Sequence, residues 1–302
     1  MRIAVTGASG LLGRAVIRRL HATHPNQHQV LALSRSPRPP GDGVEWLQAD
    51  VTVPGPWQEA VAAADAVVHL AGEPLDSRRW SATQKARLVA SRIESTRRLI
   101  EALAAPGRRA HTLVAASAVG YYGPRGEEPL EEQAGPGQDF LADLCRRWEE
   151  AVQDAVPLGV RAVSLRFGVV LSRHGGALAR MVPAFKLFVG GPLGDPRAWF
   201  PWIHEEDAAG LVLHALTTPS LSGPVNAVSP GLVRMGDLAR AVGRQLNRPA
   251  LFAVPTGALR LLLGEMGGAL APGQKVIPRA ALDAGYHFRH ERLDSALATT
   301  LS

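Results

Sequence analysis

Short apolar runs alternate with longer stretches of helical period through the first half of the chain. The runs are Arg2–Thr6, Val30–Leu33, Val44–Gln48, Ala66–Leu70, Thr112–Ala116 and Arg161–Phe167. Each is short and rich in valine, leucine or isoleucine, the pattern of a strand buried on both faces of a parallel sheet. Between them, Leu11, Leu12, Ala15, Val16 and Leu20 mark one helical stripe, and Leu88, Val89, Ile93, Leu99, Ile100 and Leu103 another. Helices are expected over Trp57–Ala63, Ser81–Ala104 and Asp139–Ala155. Strand and helix in alternation, broken only by the Pro/Gly loop Pro37–Gly43 between the second and third strands, predict an α/β fold, a doubly wound parallel sheet.

From about Leu171 the texture changes. Glycine and proline crowd Gly175-Gly176, Gly190-Gly191-Pro192 and Gly194, followed by Trp199-Phe200-Pro201-Trp202-Ile203-His204. This reads as the irregular, aromatic-lined wall of a smaller substrate lobe. Helices follow over Glu205–Thr217, Met235–Leu246 and Thr256–Leu270, with Val225–Val228 as a returning strand and Asp207 placed to complement a helix dipole. The expected division is 1–170 for the sheet domain and 171–302 for a C-terminal α/β lobe, partly interleaved with the first.

The first strand runs directly into Gly7, Gly10 and Gly13 and then into the first helix. A strand, a glycine turn and a helix aim free helix amides at a pyrophosphate. Gly7 makes the turn, Gly10 lets phosphate approach the backbone, and Gly13 lets helix and strand pack closely. Ser9, Leu11 and Leu12 complete the cofactor-facing turn. The second strand ends at Ser34-Arg35, a hydroxyl and a guanidinium where a carboxylate would hold a ribose 2′-hydroxyl. An arginine there pairs with a 2′-phosphate that a carboxylate would repel, which predicts NADP over NAD. Asp50 ends the third strand, either beside the adenine or as a cap for the following helix; Leu70, Ala71 and Gly72 are small enough for backbone to run under a cofactor. Val170, just past the sixth strand, is a further expected cofactor contact.

Arg92 falls within the apolar stripe of the long helix, where a desolvated charge needs an anion. A cofactor phosphate or ribose and an intrachain carboxylate are the two options. Lys85, two turns earlier, is expected at the cleft mouth on the cofactor side, and Arg79 and Trp80 are candidates to line a substrate pocket. Ser117, then Tyr121 and Tyr122, follow a central strand's carboxyl end, where ligands bind in open α/β sheets. They are the candidate catalytic residues. Trp202 and His204 are candidate substrate contacts, with His204 either a structural hydrogen-bonder or an acid–base group.

Composition narrows the picture further. The chain has 302 residues and a formal charge of +6, but its arginines are scattered in pairs rather than gathered in a run. That disposition disfavours nucleic acid and favours a small anionic ligand. No apolar run reaches membrane-spanning length, and the opening strand leaves no room for a signal peptide. Cys145 is the only cysteine, so no intrachain disulfide and no cysteine metal cluster can form, and no metal site is expected. A cytoplasmic protein is expected. The helix Ser81–Ala104 offers a face on which two copies could pair across a two-fold axis.

Several segments together resemble an extended short-chain dehydrogenase/reductase: TGASGLLG, SRSP, VVHLAG, SAVGYYG, LRFGVVL and WIHEEDAAG. RRWSATQKARLVASRIEST, DFLADLCRRWEEA, GGALARMVPAFKLFVGGPLG and GQKVIP are more particular, and resemble the atypical "epimerase family protein" branch, some members of which are described as cell-division-inhibitor-like. The resemblance runs from Met1 to about Leu297 and implies a Rossmann fold, NADP binding, and oxidoreductase or nucleotide-sugar-epimerase-like chemistry on a small substrate. Enzymes of that superfamily carry a Tyr-x-x-x-Lys pair whose tyrosine moves a proton, worth roughly 10²–10⁴ in rate. Here the matching register holds Leu141 and Cys145, or Phe140 and Leu144, and Arg92 replaces the usual asparagine. Two readings follow: an enzyme with a relocated proton donor at Tyr121 or Tyr122, or a non-catalytic NADP-binding sensor or partner-binding protein.

Overall fold

The computed structural model describes residues 1–23, 27–39, 41, 43–270 and 273–301. In the first half, β1 (Arg2–Thr6), α1 (Leu11–Thr23), β2 (Gln29–Ser34), β3 (Val44–Gln48), α2 (Trp57–Ala62), β4 (Ala66–His69), α3 (Ala82–Leu103) and β5 (Thr112–Ala118) follow one another. Next come a 3₁₀ turn (Val119–Tyr122), β6 (Pro129–Leu130), α4 (Phe140–Gln153), β7 (Arg161–Phe167) and β8 (Val169–Leu171). The remainder forms α5 (Gly176–Lys186), β9 (Trp202–His204), α6 (Glu205–Thr217), β10 (Gly223–Ala227), α7 (Met235–Leu246), α8 (Thr256–Leu263), α9 (Glu265–Leu270), β11 (Lys275–Val276), α10 (Arg279–Asp283) and α11 (Leu293–Leu301).

Seven strands pair in parallel in the order β10-β7-β5-β4-β1-β2-β3, a Rossmann-type α/β sheet. The order reverses beside β1, which creates a crevice at the carboxyl ends of β1 and β4. Side-chain alternation divides the strands between two cores. Ile3 and Val5 pack with Val16 and Leu20 of α1 and Leu211 and Val212 of α6. Ala4 and Leu31 face the other way, toward Val61 of α2, Ile93 and Leu99 of α3, and Trp148 and Val152 of α4. Burial on both faces explains why these strands lack a period of two.

The segment after Leu171 builds its own core from Leu178, Phe185, Trp202, Leu238 and Leu297, yet it also returns β10 to the main sheet and α6 to its face. Sequence periodicity does not reveal α5, which starts after Gly175 and contains Pro183, nor the short parallel pair β8–β9. The helix expected over 256–270 is two helices, broken at Gly264, whose φ of +68° ends α8. Asp207 proves to be more than a dipole partner. It is fully buried and accepts the backbone N–H groups of Arg289 and His290 at 2.8 and 2.9 Å, which ties the C-terminal segment to α6. Among the described residues, no helix is long and apolar enough to cross a membrane.

Candidate functional site

The β1–α1 turn has the geometry of a phosphate cradle. Gly7 sits at φ +65°, and a Cβ there would lie 2.6 Å from the Leu70 carbonyl carbon. A Cβ on Gly13 would lie 2.4 Å from the Gly7 oxygen, so only glycine lets α1 come this close to the turn. Ser9 and Ser34 meet at 3.4 Å between hydroxyl oxygens, joining the ends of the first two strands. Arg35, just beyond, is exposed and makes no ion pair among the described residues. Asp50 does not cap α2, whose N-cap is Pro56; it accepts from the backbone N–H and hydroxyl of Thr52, and these bonds hold its carboxyl below the usual range.

Beneath the cradle lies a group that sequence reasoning missed. His69 is fully buried, with Nδ1 2.7 Å from the Thr6 hydroxyl and Nε2 3.2 Å from both Ser95 and Thr96. Ser95 and Thr96 donate to helix carbonyls of Ser91 and Arg92 at 2.7 Å each, so they accept from the ring. The proton therefore sits on Nε2, and Thr6 donates to Nδ1. Burial lowers the His69 pKa to about 4.

At the ends of β5 and β7 a second buried network surrounds the expected catalytic residues. Arg166 makes a two-pronged bridge to Glu149 of α4, with both N···O distances 2.8 Å. Burial disfavours the Arg166 charge, but hydrogen bonds and charge from Glu149 more than offset this and raise its pKa above the ordinary value. Ser117 donates to Glu149 at 2.6 Å. Its single proton is thereby spent, and its oxygen faces any other partner as an acceptor. Glu132 also enters the network, accepting from the backbone N–H groups of Asn226 and Ala280.

The two tyrosines separate sharply. Tyr122 is wholly buried, donates to Asn226 at 2.6 Å and accepts from Arg166 at 2.9 Å; burial pushes its pKa up to about 12. It is a core group, which corrects its expected catalytic role. Tyr121 is half-buried with its ring 3.6 Å from the Arg166 guanidinium, and its hydroxyl makes no hydrogen bond among the described residues. Neither register expected for the Tyr-x-x-x-Lys pair, Leu141 with Cys145 or Phe140 with Leu144, holds a tyrosine or a lysine; Leu141 and Cys145 lie against Gly120, and burial raises the Cys145 pKa to about 12.

Arg92 lies against Gly72 with its guanidinium donating to the Leu88 and Glu73 carbonyls at 3.2 and 3.0 Å and facing the Trp148 ring at 5.2 Å. Burial lowers its pKa, with the nearby Glu73 charge acting the other way, and among the described residues no carboxylate stands within salt-bridge distance. Leu70 and Ala71 are half-buried at the end of β4, and Val170 is half-buried in β8.

Five other expected contacts are committed elsewhere. Lys85 bridges to Glu265 at 2.6 Å, so it pins α9 rather than reaching for a cofactor. Arg79 donates to the Leu261 carbonyl of α8. Trp80 is a core residue, its indole N–H on the Leu75 carbonyl at 2.8 Å and its ring edge-on to Phe140. Trp202 is 1 % exposed with its indole N–H on the Gly231 carbonyl, and it packs with Phe200 in the core built by the segment after Leu171. His204 caps α6, its Nδ1 accepting from the Glu206 N–H at 3.2 Å. His204, Glu206 and His290 cluster closely enough to hold an ion. The cap bond, however, leaves the His204 proton on Nε2, which takes that nitrogen out of metal service.

The sequence signals for Glu149 and Arg166 exist in retrospect. Arg166 interrupts an otherwise apolar central strand, and Glu149 lies on the sheet-facing side of α4 beside Trp148 and Val152. A charge in either place needs a partner.

Comparison with known proteins gives the site a context. Residues 3–228 match the model of the NAD dependent epimerase/dehydratase family, and residues 254–300 match a domain of unknown function, DUF1731. The chain is 38 % identical over 306 residues to the Arabidopsis thaliana "Epimerase family protein SDR39U1 homolog, chloroplastic", covering 98 % of this chain and 86 % of that one. It is 34 % identical to the Bacillus subtilis epimerase family protein YfhF, covering 100 % and 98 %. The crystal structure of human epimerase family protein SDR39U1 with NADPH superposes with a TM-score of 0.87 at 33 % identity, covering 99 % of each chain. Sheet order, glycine cradle and full-length similarity agree, and this chain belongs to the NAD dependent epimerase/dehydratase family.

Proposed function

We propose that the chain is an NADP-dependent oxidoreductase or nucleotide-sugar-epimerase-like enzyme acting on a small molecule. The observation that carries this reading is the β1–α1 cradle, where a Cβ at Gly7 or Gly13 would collide with backbone, together with an exposed Arg35 at the next strand end. Those residues fit a phosphorylated dinucleotide. The resemblance to a protein crystallised with NADPH supports the same choice. When bound, the nicotinamide supplies or takes the hydride.

The protein's own groups do the rest. Gly7, Ser9, Gly10, Leu11, Leu12 and Gly13 hold the pyrophosphate on α1 amides. Ser34 and Arg35 hold the 2′-phosphate, Asp50 faces the adenosine end, and Leu70, Ala71 and Gly72 run beneath with Val170 across the cleft. Arg92 holds negative charge at the Gly72 corner. Ser117 orients a substrate hydroxyl as an acceptor because Glu149 takes its proton. Tyr121 is the proton-moving group, its ring lying on the Arg166 guanidinium.

A second reading, an NADP-binding sensor without turnover, is favoured by Leu141 and Cys145 at the pair positions. One experiment separates them. NADPH absorbance is followed with purified protein and a panel of carbonyl compounds and nucleotide sugars. The enzyme reading predicts substrate-dependent NADPH loss that falls about 10²-fold or more in Tyr121→Phe. Firm NADPH binding with no turnover on any member supports the sensor, and turnover unchanged in Tyr121→Phe removes Tyr121 as donor.

A further inference from the structure

On the outer flank of α1 and α6 lies a cavity of about 560 Å³, larger than the other cavities near it. Its α1 wall is Ala15, Arg18, Arg19 and Ala22, and none of Gly7–Gly13, Ser34, Arg35 or Gly72 borders it. The space is therefore separate from the dinucleotide cradle. Its volume falls within the usual range for small-molecule sites, about 300–1,000 Å³.

The lining is cationic. Four guanidinia (Arg18, Arg19, Arg173 and Arg289) face two carboxylates, Glu205 and Glu206. These acids do not satisfy them. Arg18 stands 3.6 Å from Glu205 and Arg289 stands 3.6 Å from Glu206, contacts too long for hydrogen bonds. The Glu205 carboxylate already accepts from Ser172 at 2.7 Å. Arg19 Nε is buried with no partner.

One histidine adds a donor at the same wall. His204 is 2 % exposed, and its cap bond puts the ring proton on Nε2, which has no hydrogen-bond partner among the described residues. The His290 ring stacks on it at 3.8 Å between centroids, behind the wall, with its own Nε2 3.4 Å from the Glu206 carboxylate. The amino end of the thirteen-residue α6 opens beside them, adding a positive dipole end to the same space. Like charges gathered on one lining repel one another, and the buried Arg19 Nε–H without an acceptor is costly. An oxyanion with several acceptor atoms relieves both.

We propose that this cavity binds a phosphate-bearing small molecule independently of the dinucleotide. Arg18 and Arg289 grip it from opposite walls, Arg19 and Arg173 add charge, and the His204 N–H donates from the floor.

The test is calorimetric titration of the full chain, saturated with NADPH, with inorganic pyrophosphate and with orthophosphate. The expected result is one pyrophosphate per chain, bound more tightly than orthophosphate. Arg18→Gln with Arg289→Gln should weaken it about tenfold or more. Both side chains are more than half exposed, so the double variant should fold, with an unchanged melting temperature as the control. Its NADPH affinity should stay within about twofold of the parent. Three results would overturn the proposal: no heat with either anion, binding only when NADPH is absent, or unchanged pyrophosphate binding in the double variant.

Discussion

Arg166 and Glu149 form a nearly solvent-free ion pair, with side chains 3 % and 11 % exposed. Removing one partner strands the other charge, which generally costs about 3–5 kcal/mol, whereas replacing both with apolar groups is often neutral. Arg166→Met should therefore lose about 3–5 kcal/mol in urea denaturation, and Arg166→Met with Glu149→Leu should recover much of it. Equal losses in the single and double variants would mean that packing, not charge, governs the site. His69 gives a pH signature. Its folded pKa of about 4 lies below the ordinary 6.5, so folding excludes the proton that the unfolded chain binds. The stability it contributes is complete above pH 6.5 and is lost as pH falls toward 4, a loss of about 3 kcal/mol across that window. Thermal melts across this range should show the slope, and His69→Gln should flatten it.

At the scale of elements, the cradle and the C-terminal strap each hang on one residue. Gly13→Ala places a methyl 2.4 Å from the Gly7 oxygen, which must push α1 from the turn. A backbone clash of this kind generally costs about 1–3 kcal/mol. NADPH affinity should fall further than stability does, measured by calorimetry beside a melt. Asp207→Ala frees two backbone donors at Arg289 and His290 and should cost about 3 kcal/mol. Limited proteolysis should then cut near 285–292 first. Elements with a strong local signal were legible in sequence: β1, β3, β7, α6 and α7 have the bounds expected from their apolar patterns. The two-to-three-residue strands β6, β8, β9 and β11 were not, since so few residues carry no period. The candidate site divides in the same way. The glycine cradle is written in consecutive residues. The Tyr122–Asn226 bond spans 104 positions and exists only once β10 returns to the sheet, so the burial of Tyr122 had no local sign.

At the scale of the molecule, the second half of the chain is both lobe and scaffold: β10 extends the main sheet beyond β7, and α6 lies against α1. Both proposed anion sites share α1, with the dinucleotide cradle at its amino end and the basic cavity on its outer flank. The catalytic reading, the sensor reading and the assignment of Arg35 all presuppose that the crevice at β1 and β2 takes a 2′-phosphorylated dinucleotide. Calorimetric titration of NADPH and NADH into the parent chain and into Arg35→Gln tests this most directly. The account predicts tighter binding of NADPH than of NADH by the parent, with most of that difference gone in Arg35→Gln while NADH affinity holds. Equal or tighter binding of NADH by the parent, or no detectable binding of either, would contradict it.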